Sequence, residues 1–199
     1  MIMSLKGKHI GFGLTGSHCT YSEVLPQMKR LVELGAKVTP FATYTVESTD
    51  TKFGDSDDWL EQIASITSEP LVNSIVKAEP FGPTTPLDCM VIAPLTGNSA
   101  SKFANALTDN PVLMGAKATL RNGNPVVLGI STNDALGLNG VNIMKLMAAK
   151  HIYFIPFGQD APDKKPTSMV ARMDALPDTV EAAILGRQLQ PVIIEKYRD

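Results

Sequence analysis

Small and hydroxyl-bearing residues follow the first apolar stretch of the chain, in the segment Gly13-Leu14-Thr15-Gly16-Ser17. Gly13 and Gly16 permit tight turns and the close approach of a ligand, and Thr15 and Ser17 bring hydroxyl donors. The amides at the start of the helix expected after this segment favour an anion. The segment therefore predicts a site for a single phosphate group. The alternative is that the glycines only turn the chain from strand to helix.

Gly11, Gly13 and Gly16 also match the G-x-G-x-x-G pattern of dinucleotide sites. Such a site needs an acidic residue at the end of the second strand to hold the ribose. That position falls near Phe41-Ala42-Thr43, where there is neither an acid nor an arginine. We therefore expect Gly11 to lie inside the strand and Thr43 to add a hydroxyl group to a single-phosphate site.

A second polar cluster follows another apolar stretch and precedes a predicted helix. Its members are hydroxyl-bearing, amide-bearing or small, and they are Pro94, Thr96, Gly97, Asn98 and Ser99. These groups suit hydrogen bonds to the polar edge of a ring or to a ribityl chain, although Asn98 or Ser99 could simply cap the helix. Asn133, after the next strand, is the last candidate for cofactor binding.

Hydrophobic periodicity indicates the elements that must position these clusters. It predicts strands at 9–14, 36–42, 88–93, 125–130 and 151–155. It predicts long helices at 21–34, 99–107, 112–120 and 141–149, and short ones around Trp59 and around Leu71 to Val76. Residues 43–56 are expected to be a loop. We expect a single domain over 1–199, with a helical C-terminal extension from about residue 160.

Strands that alternate with helices predict an α/β fold. We expect a doubly wound, mostly parallel sheet in a three-layer sandwich of the flavodoxin-like or Rossmann-like type. Ligands bind such sheets at the carboxyl ends of the strands, near the point where the strand order reverses. The polar clusters fall at those ends.

The bulk properties of the 199 residues exclude several classes of protein. A net charge of −2 does not favour nucleic acid or an anionic membrane, and the apolar runs are too short to span a bilayer. Two cysteines on different elements, Cys19 and Cys89, suggest a reduced, cytoplasmic protein. His9, His18 and His151 are not spaced as metal ligands. Cys19 or His18 could be reactive, but small packed side chains are the more ordinary interpretation.

The two clusters resemble those of the flavin-binding cysteine decarboxylase family. Members carry a Gly-x-x-Gly-Ser-type first loop, a Ser or Thr after strand two, a Pro-Ala-Ser-Ala-Asn-Thr-type segment and a Lys-Ile-Ala-Asn-Gly-type helix. Gly13 to Ser17, Thr43, Pro94 to Ser99 and Lys102 to Asn105 match these motifs. The resemblance covers roughly residues 5–160. It implies flavin mononucleotide (FMN) held across a subunit interface in a homo-oligomer, for which we expect a trimer-based assembly.

Two departures from the family argue against cysteine decarboxylation. Its peptidyl-cysteine and phosphopantothenoylcysteine decarboxylases use a histidine after strand two, and there is none between Thr43 and Pro86. They also carry a Pro-x-Met-Asn-x-x-Met-type motif after strand four, of which only Asn133 is present in residues 130–136. A flavin prenyltransferase, the related alternative, usually has Ser-Met-Lys-Thr where this chain has Thr96 to Ser99.

The chain as a whole most resembles one subunit of a two-subunit oxidoreductase of sporulating bacteria, over Gly13 to Thr20, Pro94 to Asn110 and Ser131 to Gly137. The resemblance implies a partner subunit with a nicotinamide-type Rossmann domain that binds NAD(P). Together the two would oxidise a dihydropyridine dicarboxylate to the aromatic compound. The alternative is a non-catalytic subunit that binds flavin or stabilises its partner. We assign no catalytic residue; candidate cations for the two carboxylates are Lys102, Arg121, Lys164, Lys165 and Arg172.

Overall fold

The strands of the computed structural model, which describes residues 5–195, follow the predicted apolar stretches closely. Their bounds are β1 His9–Leu14, β2 Lys37–Ala42, β3 Cys89–Leu95, β4 Val126–Thr132, β5 Ile152–Phe154, β6 Phe157–Gly158 and β7 Met169–Ala171. Every residue of β3 is buried, as expected of a strand covered on both faces.

Helices connect the strands and cover the sheet. Their bounds are α1 Tyr21–Glu33, α2 Tyr44–Ser48, α3 Ser56–Thr67, α4 Ile75–Ala78, α5 Gly97–Ala104, α6 Pro111–Arg121, α7 Gly140–Met147 and α8 Leu176–Ile184. Single 3₁₀ turns occupy His18–Thr20, Glu79–Phe81 and Met173–Ala175. Within the described residues, no helix is both long and apolar enough to cross a membrane.

The sheet order confirms the predicted fold class. Strands β2, β1, β3, β4 and β5 pair in parallel in that order, which is the flavodoxin-like arrangement. The order reverses between β1 and β3, so the crevice beyond their carboxyl ends is the place where such folds hold ligands.

The C-terminal part differs from the expected helical extension. After residue 160 the chain first forms β7, which pairs antiparallel with the end of β4 and with β6, and only then α8. Val170 is β-branched and suits a strand, and its pairing with Ser131 of β4 outweighed the helical pattern read from about Ser168.

Two further local predictions were wrong. The supposed loop at 43–56 contains the short helix α2, which buries Val46. Leu71 and Val72 are not helical, because Val72 forms a parallel bridge with Phe41 beside β2. In both places a short apolar stretch is used by a tertiary neighbour that local periodicity does not reveal.

The edge of the sheet at β5 is closed by a side chain. Gln188 accepts a hydrogen bond from the Phe154 amide at 2.8 Å and donates one to the Phe154 carbonyl oxygen at 2.7 Å. Its carboxamide thus pairs with an edge residue as a neighbouring strand would.

Candidate functional site

Two clefts lie at the carboxyl end of the sheet, on either side of the loop after β1. The first cleft has a volume of about 290 Å³, and the second has about 620 Å³. Gly16 lines the first cleft and Ser17 lines the second, so adjacent residues of one loop form the boundary between them.

The first cleft brings together five of the residues proposed from the sequence. They come from the loops after β1, β2 and β3 and are Gly16, Thr43, Thr96, Asn98 and Ser99. Because β1 pairs in parallel with both β2 and β3, the carboxyl ends of these strands lie side by side. The polar clusters that follow the strands in the sequence therefore meet in one cleft. The cleft is lined mainly by hydroxyl, amide and backbone groups.

Thr15 is not available to a ligand in the way its sequence position suggested. Its side chain is 1% exposed, and its hydroxyl donates to the Pro94 carbonyl oxygen at 2.7 Å. The hydroxyl oxygen of Thr15 also accepts a hydrogen bond from the Thr96 amide at 3.1 Å. In this structure the hydroxyl joins the loop after β1 to the loop after β3, and its donation to a phosphate stays a prediction. Pro94, itself buried in β3, takes part in this connection through its carbonyl group.

Gly13 also has a different role from the predicted one. It lies inside β1 rather than in the turn, and a Cβ at this position would stand 2.6 Å from Cγ1 of Val112. The absent side chain leaves room for α6 to pack against the sheet. Gly11 is likewise inside the strand, as predicted, with Leu87 and Met90 at 2.6 Å from a Cβ there.

Ser17 and Asn133 lie at the second cleft and not at the first. Ser17 has a left-handed backbone, with φ 65°, and its hydroxyl donates to the Ser131 carbonyl oxygen at 3.0 Å. Because its proton is used there, the predicted donation to a phosphate is not supported. Asn133 is exposed, and its side-chain oxygen lies 3.4 Å from the hydroxyl of Ser168.

The start of α5 is shaped by a capping residue and a glycine. The Thr96 hydroxyl accepts a hydrogen bond from the Ser99 amide at 3.2 Å, so Thr96, rather than Asn98 or Ser99, is the N-cap. A Cβ on Gly97 would stand 2.7 Å from Asn139 and from Thr132. Gly97 therefore allows α5 to approach the segment after β4, while Asn98 stays exposed at the cleft.

The sequence interpretation left the role of Lys102 open and missed four polar residues of the first cleft, which are Tyr44, Thr45, Asp109 and Asn110. Lys102 on α5 forms an ion pair with Asp109, whose other carboxylate oxygen accepts a hydrogen bond from the Asn110 side chain at 3.0 Å. Hydrogen bonding to Lys102 holds the pKa of Asp109 below its ordinary value. The signal for this group was the Asn110-Pro111 pair, which is typical of a helix start. Lys102, named above as a candidate cation, is the cation that lines this cleft.

His18 and Tyr21 form a buried aromatic pair behind the loop after β1. Their ring centroids are 4.9 Å apart, and the Tyr21 hydroxyl donates to the Thr15 carbonyl oxygen at 2.8 Å. Burial lowers the pKa of His18 and raises that of Tyr21. Both side chains are thus neutral at pH 7 and support the loop from beneath.

The arrangement of the first cleft can bind an anion-bearing polar molecule. The first amides of α5 lack partners within the helix, and Thr43, Thr96 and Ser99 line the same cleft with their hydroxyl groups. Lys102 adds a cation that is already partly neutralised by Asp109. Such a site supplies hydrogen bonds and modest positive charge.

Comparison with known proteins agrees with this geometry. The Flavoprotein family model matches residues 3–182. The chain is 65% identical, over 195 residues and 98% of each sequence, to the B subunit of dipicolinate synthase from Bacillus subtilis (strain 168). The resemblance over the whole chain that the sequence indicated is thereby confirmed.

Solved structures give the same picture. The B subunit of dipicolinate synthase from Bacillus halodurans C superposes with a TM-score of 0.91 at 76% identity, covering 98% of this chain and 100% of the other. The FMN-dependent cysteine decarboxylase SpaF shares the fold, with a TM-score of 0.62 at 16% identity and coverages of 90% and 98%. By sequence and by structure, this chain belongs to the Flavoprotein family.

Proposed function

We propose that the first cleft holds FMN, with the phosphate beside Gly16 and Thr43. The observation that carries this proposal is the position of the cleft at the reversal of strand order between β1 and β3, where folds of this topology hold FMN. Gly16 supports it further, because a Cβ there would meet only Thr96 Cγ2, at 3.4 Å. The backbone at Gly16 can therefore be approached closely.

The donors of the first cleft suit the other parts of the same ligand. Asn98 and Ser99 can bond a ribityl chain or the polar edge of a ring, and Lys102 can bond an electron-rich ring oxygen. When bound, a flavin supplies an acceptor for two electrons. The residues of this chain would bind it and orient it.

A substitution at Thr43 tests the position of the phosphate. Thr43→Val keeps the shape of the side chain but removes its hydroxyl, and a hydrogen bond to a charged group contributes about 1.5–3 kcal/mol. We expect FMN to bind at least roughly tenfold more weakly, and riboflavin, which lacks the phosphate, to be little affected. Fluorescence titration of both ligands measures this. Equal losses for the two would place the phosphate elsewhere.

Identification of the bound molecule comes before any assay. Absorbance and mass spectrometry of the purified chain would show whether it carries a flavin and which one. Loss of the yellow colour on addition of the reduced substrate would show that the flavin takes part in the reaction.

We further propose that the chain is the B subunit of a dipicolinate synthase, and that it acts with an A subunit that binds NAD(P) in a Rossmann domain. Support comes from the identities to the two dipicolinate synthase B subunits over almost the whole chain. The reaction would remove a hydride and a proton from a dihydropyridine dicarboxylate, giving the aromatic dicarboxylate during sporulation. The chain alone would be inactive.

Mixing the two subunits tests this assignment. The assay supplies freshly made dihydrodipicolinate precursor and follows the ultraviolet absorbance of dipicolinate, after subtraction of spontaneous oxidation. We expect full activity only when both subunits are present. If the A subunit alone reaches the full rate, the chain is a non-catalytic or stabilising protein. If the chain alone releases carbon dioxide from a cysteinyl substrate, it is a decarboxylase.

We also propose a homo-oligomer, built from trimers, in which a neighbouring copy covers the part of the flavin outside the first cleft. A volume of about 290 Å³ is at the small end for a site of this kind. Apolar side chains on and before α7 support the proposal, because Leu138 is 90% exposed and Val141 is 74% exposed. Light scattering that gives a 21.4 kDa monomer at micromolar concentration would contradict it.

A further inference from the structure

The flavin position proposed above does not use the second cleft, which adjoins the first at Gly16 and Ser17. With a volume of about 620 Å³, it falls within the range of small-molecule sites. Its near wall is Ser17, the residue next to Gly16 of the first cleft. A molecule in the second cleft would therefore lie within reach of a ligand in the first.

Polar groups line this cleft from the loop after β1 and from the end of β4. They include Ser17, Thr20, Thr132 and the exposed amide of Asn133. The hydroxyl groups of Ser17 and Thr20 already donate to carbonyl oxygens and can accept from an N–H group, while the Asn133 amide can also donate to a carboxylate. The cleft therefore suits a small polar molecule rather than an apolar one.

An incomplete ion pair stands at the outer side of the second cleft. Lys165 Nζ is 3.4 Å from Asp160 Oδ2, and the Lys165 side chain is 53% exposed. Within the described part of the chain, the other carboxylate oxygen, Asp160 Oδ1, is buried and has no hydrogen-bond partner. The Asp160 side chain is 15% exposed. Because the lysine is more than half exposed and the pair is long, the lysine can turn to a ligand carboxylate at small cost.

The loop that carries this pair is held in place over β4. The Lys165 amide donates to the Ala161 carbonyl oxygen at 2.7 Å, and Gln159 donates to the Pro166 carbonyl oxygen at 2.8 Å. Thr167 donates to the Asn133 carbonyl oxygen at 2.6 Å. These bonds fix Asp160 and Lys165 relative to the end of β4, as a built site requires.

The charges of the lining discriminate between ligands. Among the described residues that line the cleft, Lys165 is the one lysine or arginine, while Asp160 and Glu23 are acidic. A dicarboxylate without a hydrogen-bond donor meets one cation, Lys165, and two carboxylates of the protein, Asp160 and Glu23. A dicarboxylate that also carries an N–H or O–H group can donate a hydrogen bond to one of those protein carboxylates. The lining thus favours a ligand with both kinds of group.

We propose that the second cleft binds the substrate, a small, partly reduced heterocyclic dicarboxylate, with a ring carboxylate on Lys165 and a ring donor on Asp160. The proposal rests on the function proposed above and names the site of its substrate. It also implies that the aromatic product, whose ring nitrogen carries no proton at neutral pH, binds less tightly than the reduced ring.

Calorimetry with two stable probes on the full-length chain tests the proposal. The ring nitrogen of piperidine-2,6-dicarboxylate is protonated at neutral pH and donates charged N–H bonds, whereas the ring nitrogen of pyridine-2,6-dicarboxylate carries no proton. We expect the piperidine to bind more tightly. Lys165→Gln should weaken both by roughly tenfold or more, since each loses a charge-assisted bond. Asp160→Asn should weaken the piperidine selectively and so reduce the difference between the probes.

Lys164→Gln is the matched control, because it removes the same charge from the neighbouring position outside the lining of the cleft. It should change neither dissociation constant by more than about twofold. Equal effects of Lys164→Gln and Lys165→Gln, or loss of probe binding with Lys102→Gln instead, would overturn the proposal. If these results occur while the chain still activates its partner subunit, the substrate site is wrong and the proposed function stands. If the chain does not change the partner's rate, the proposed function is wrong.

Discussion

Thr15 and Thr96 are joined through one buried oxygen atom: the Thr15 hydroxyl accepts a hydrogen bond from the Thr96 amide at 3.1 Å while donating to the Pro94 carbonyl oxygen. The two residues are 81 positions apart in the chain. This bond pair sets the distance between the loop after β1 and the start of α5, and with it the width of the first cleft.

Removing that hydroxyl should destabilise the protein. Thr15→Val leaves the Pro94 carbonyl and the Thr96 amide without their partner in a buried place, and we expect a loss of about 2–3 kcal/mol in the free energy of unfolding. Thr15→Ser, which keeps the hydroxyl, should lose less. Urea unfolding measures both, with Thr84→Val at an exposed position as control. A Thr15→Val protein as stable as the control would show that the two bonds are not needed.

The glycines of the loop after β1 should respond differently to alanine. Gly13→Ala puts a Cβ 2.6 Å from Val112 Cγ1 and 3.0 Å from Met90 Cε, and such overpacking typically costs about 1–3 kcal/mol of stability. At Gly16 the nearest atom is Thr96 Cγ2 at 3.4 Å, so Gly16→Ala should unfold at nearly the urea concentration of the unmodified protein. We expect Gly16→Ala instead to weaken FMN binding. If Gly13→Ala instead weakened FMN binding and Gly16→Ala lowered the stability, Gly13 would be a residue of the ligand site.

Stability should fall as the pH is lowered through the range in which histidine titrates. Burial lowers the pKa of His9, with a further contribution from Lys37, and burial lowers the pKa of His18. The unfolded chain, with an ordinary pKa of 6.5, therefore takes up protons first. Stability is complete above pH 6.5 and declines below it, until the pH passes the folded-state pKa values.

Urea unfolding between about pH 7.5 and 5.5 measures this decline, to which each histidine adds a slope of at most about 1.4 kcal/mol per pH unit. His9→Gln removes one titrating group. The glutamine can keep a hydrogen bond to Thr39, whose Oγ1 lies 2.8 Å from His9 Nε2 in the unmodified protein. Its slope should be smaller than that of the unmodified protein. An unchanged slope would exclude His9 as a source of the effect.

Gln188 should stabilise the protein by pairing with the edge of the sheet at β5. Gln188→Ala removes the bonds to both backbone groups of Phe154, and we expect a loss of about 1–2 kcal/mol. Gln188→Glu keeps an acceptor for the Phe154 amide but places a carboxylate against the Phe154 carbonyl oxygen, so it should also be destabilised. Gln62→Ala, at an exposed site on α3, is the control for thermal unfolding. Equal melting temperatures for all three variants would show that the edge needs no such cover.

The sequence by itself determined the five parallel strands, the long helices between them and the parts of the chain that meet at the site. The apolar run Cys89 to Ala93 identifies a central strand, and hydroxyl-bearing and small residues after it and after β1 identify the loops at its carboxyl end. These predictions succeeded because strand and helix periods depend on near neighbours in the chain, and because parallel strands bring their ends to one edge of the sheet.

Only the tertiary structure decided which of those residues face a cleft. Thr15 and Gly16 are adjacent and look equally suitable in the sequence, but the first is consumed by a bond to a loop some eighty residues away and the second lines the cleft. Lys165 was one of five candidate cations in the sequence, and only the pairing of β7 with β4 carried its loop, together with Asp160, over the end of that strand. Whether a polar side chain lines a cleft or is used in an internal bond depends on partners that are distant in the chain. A buried polar group is oriented by its hydrogen-bond partner, and the local sequence pattern does not identify that partner.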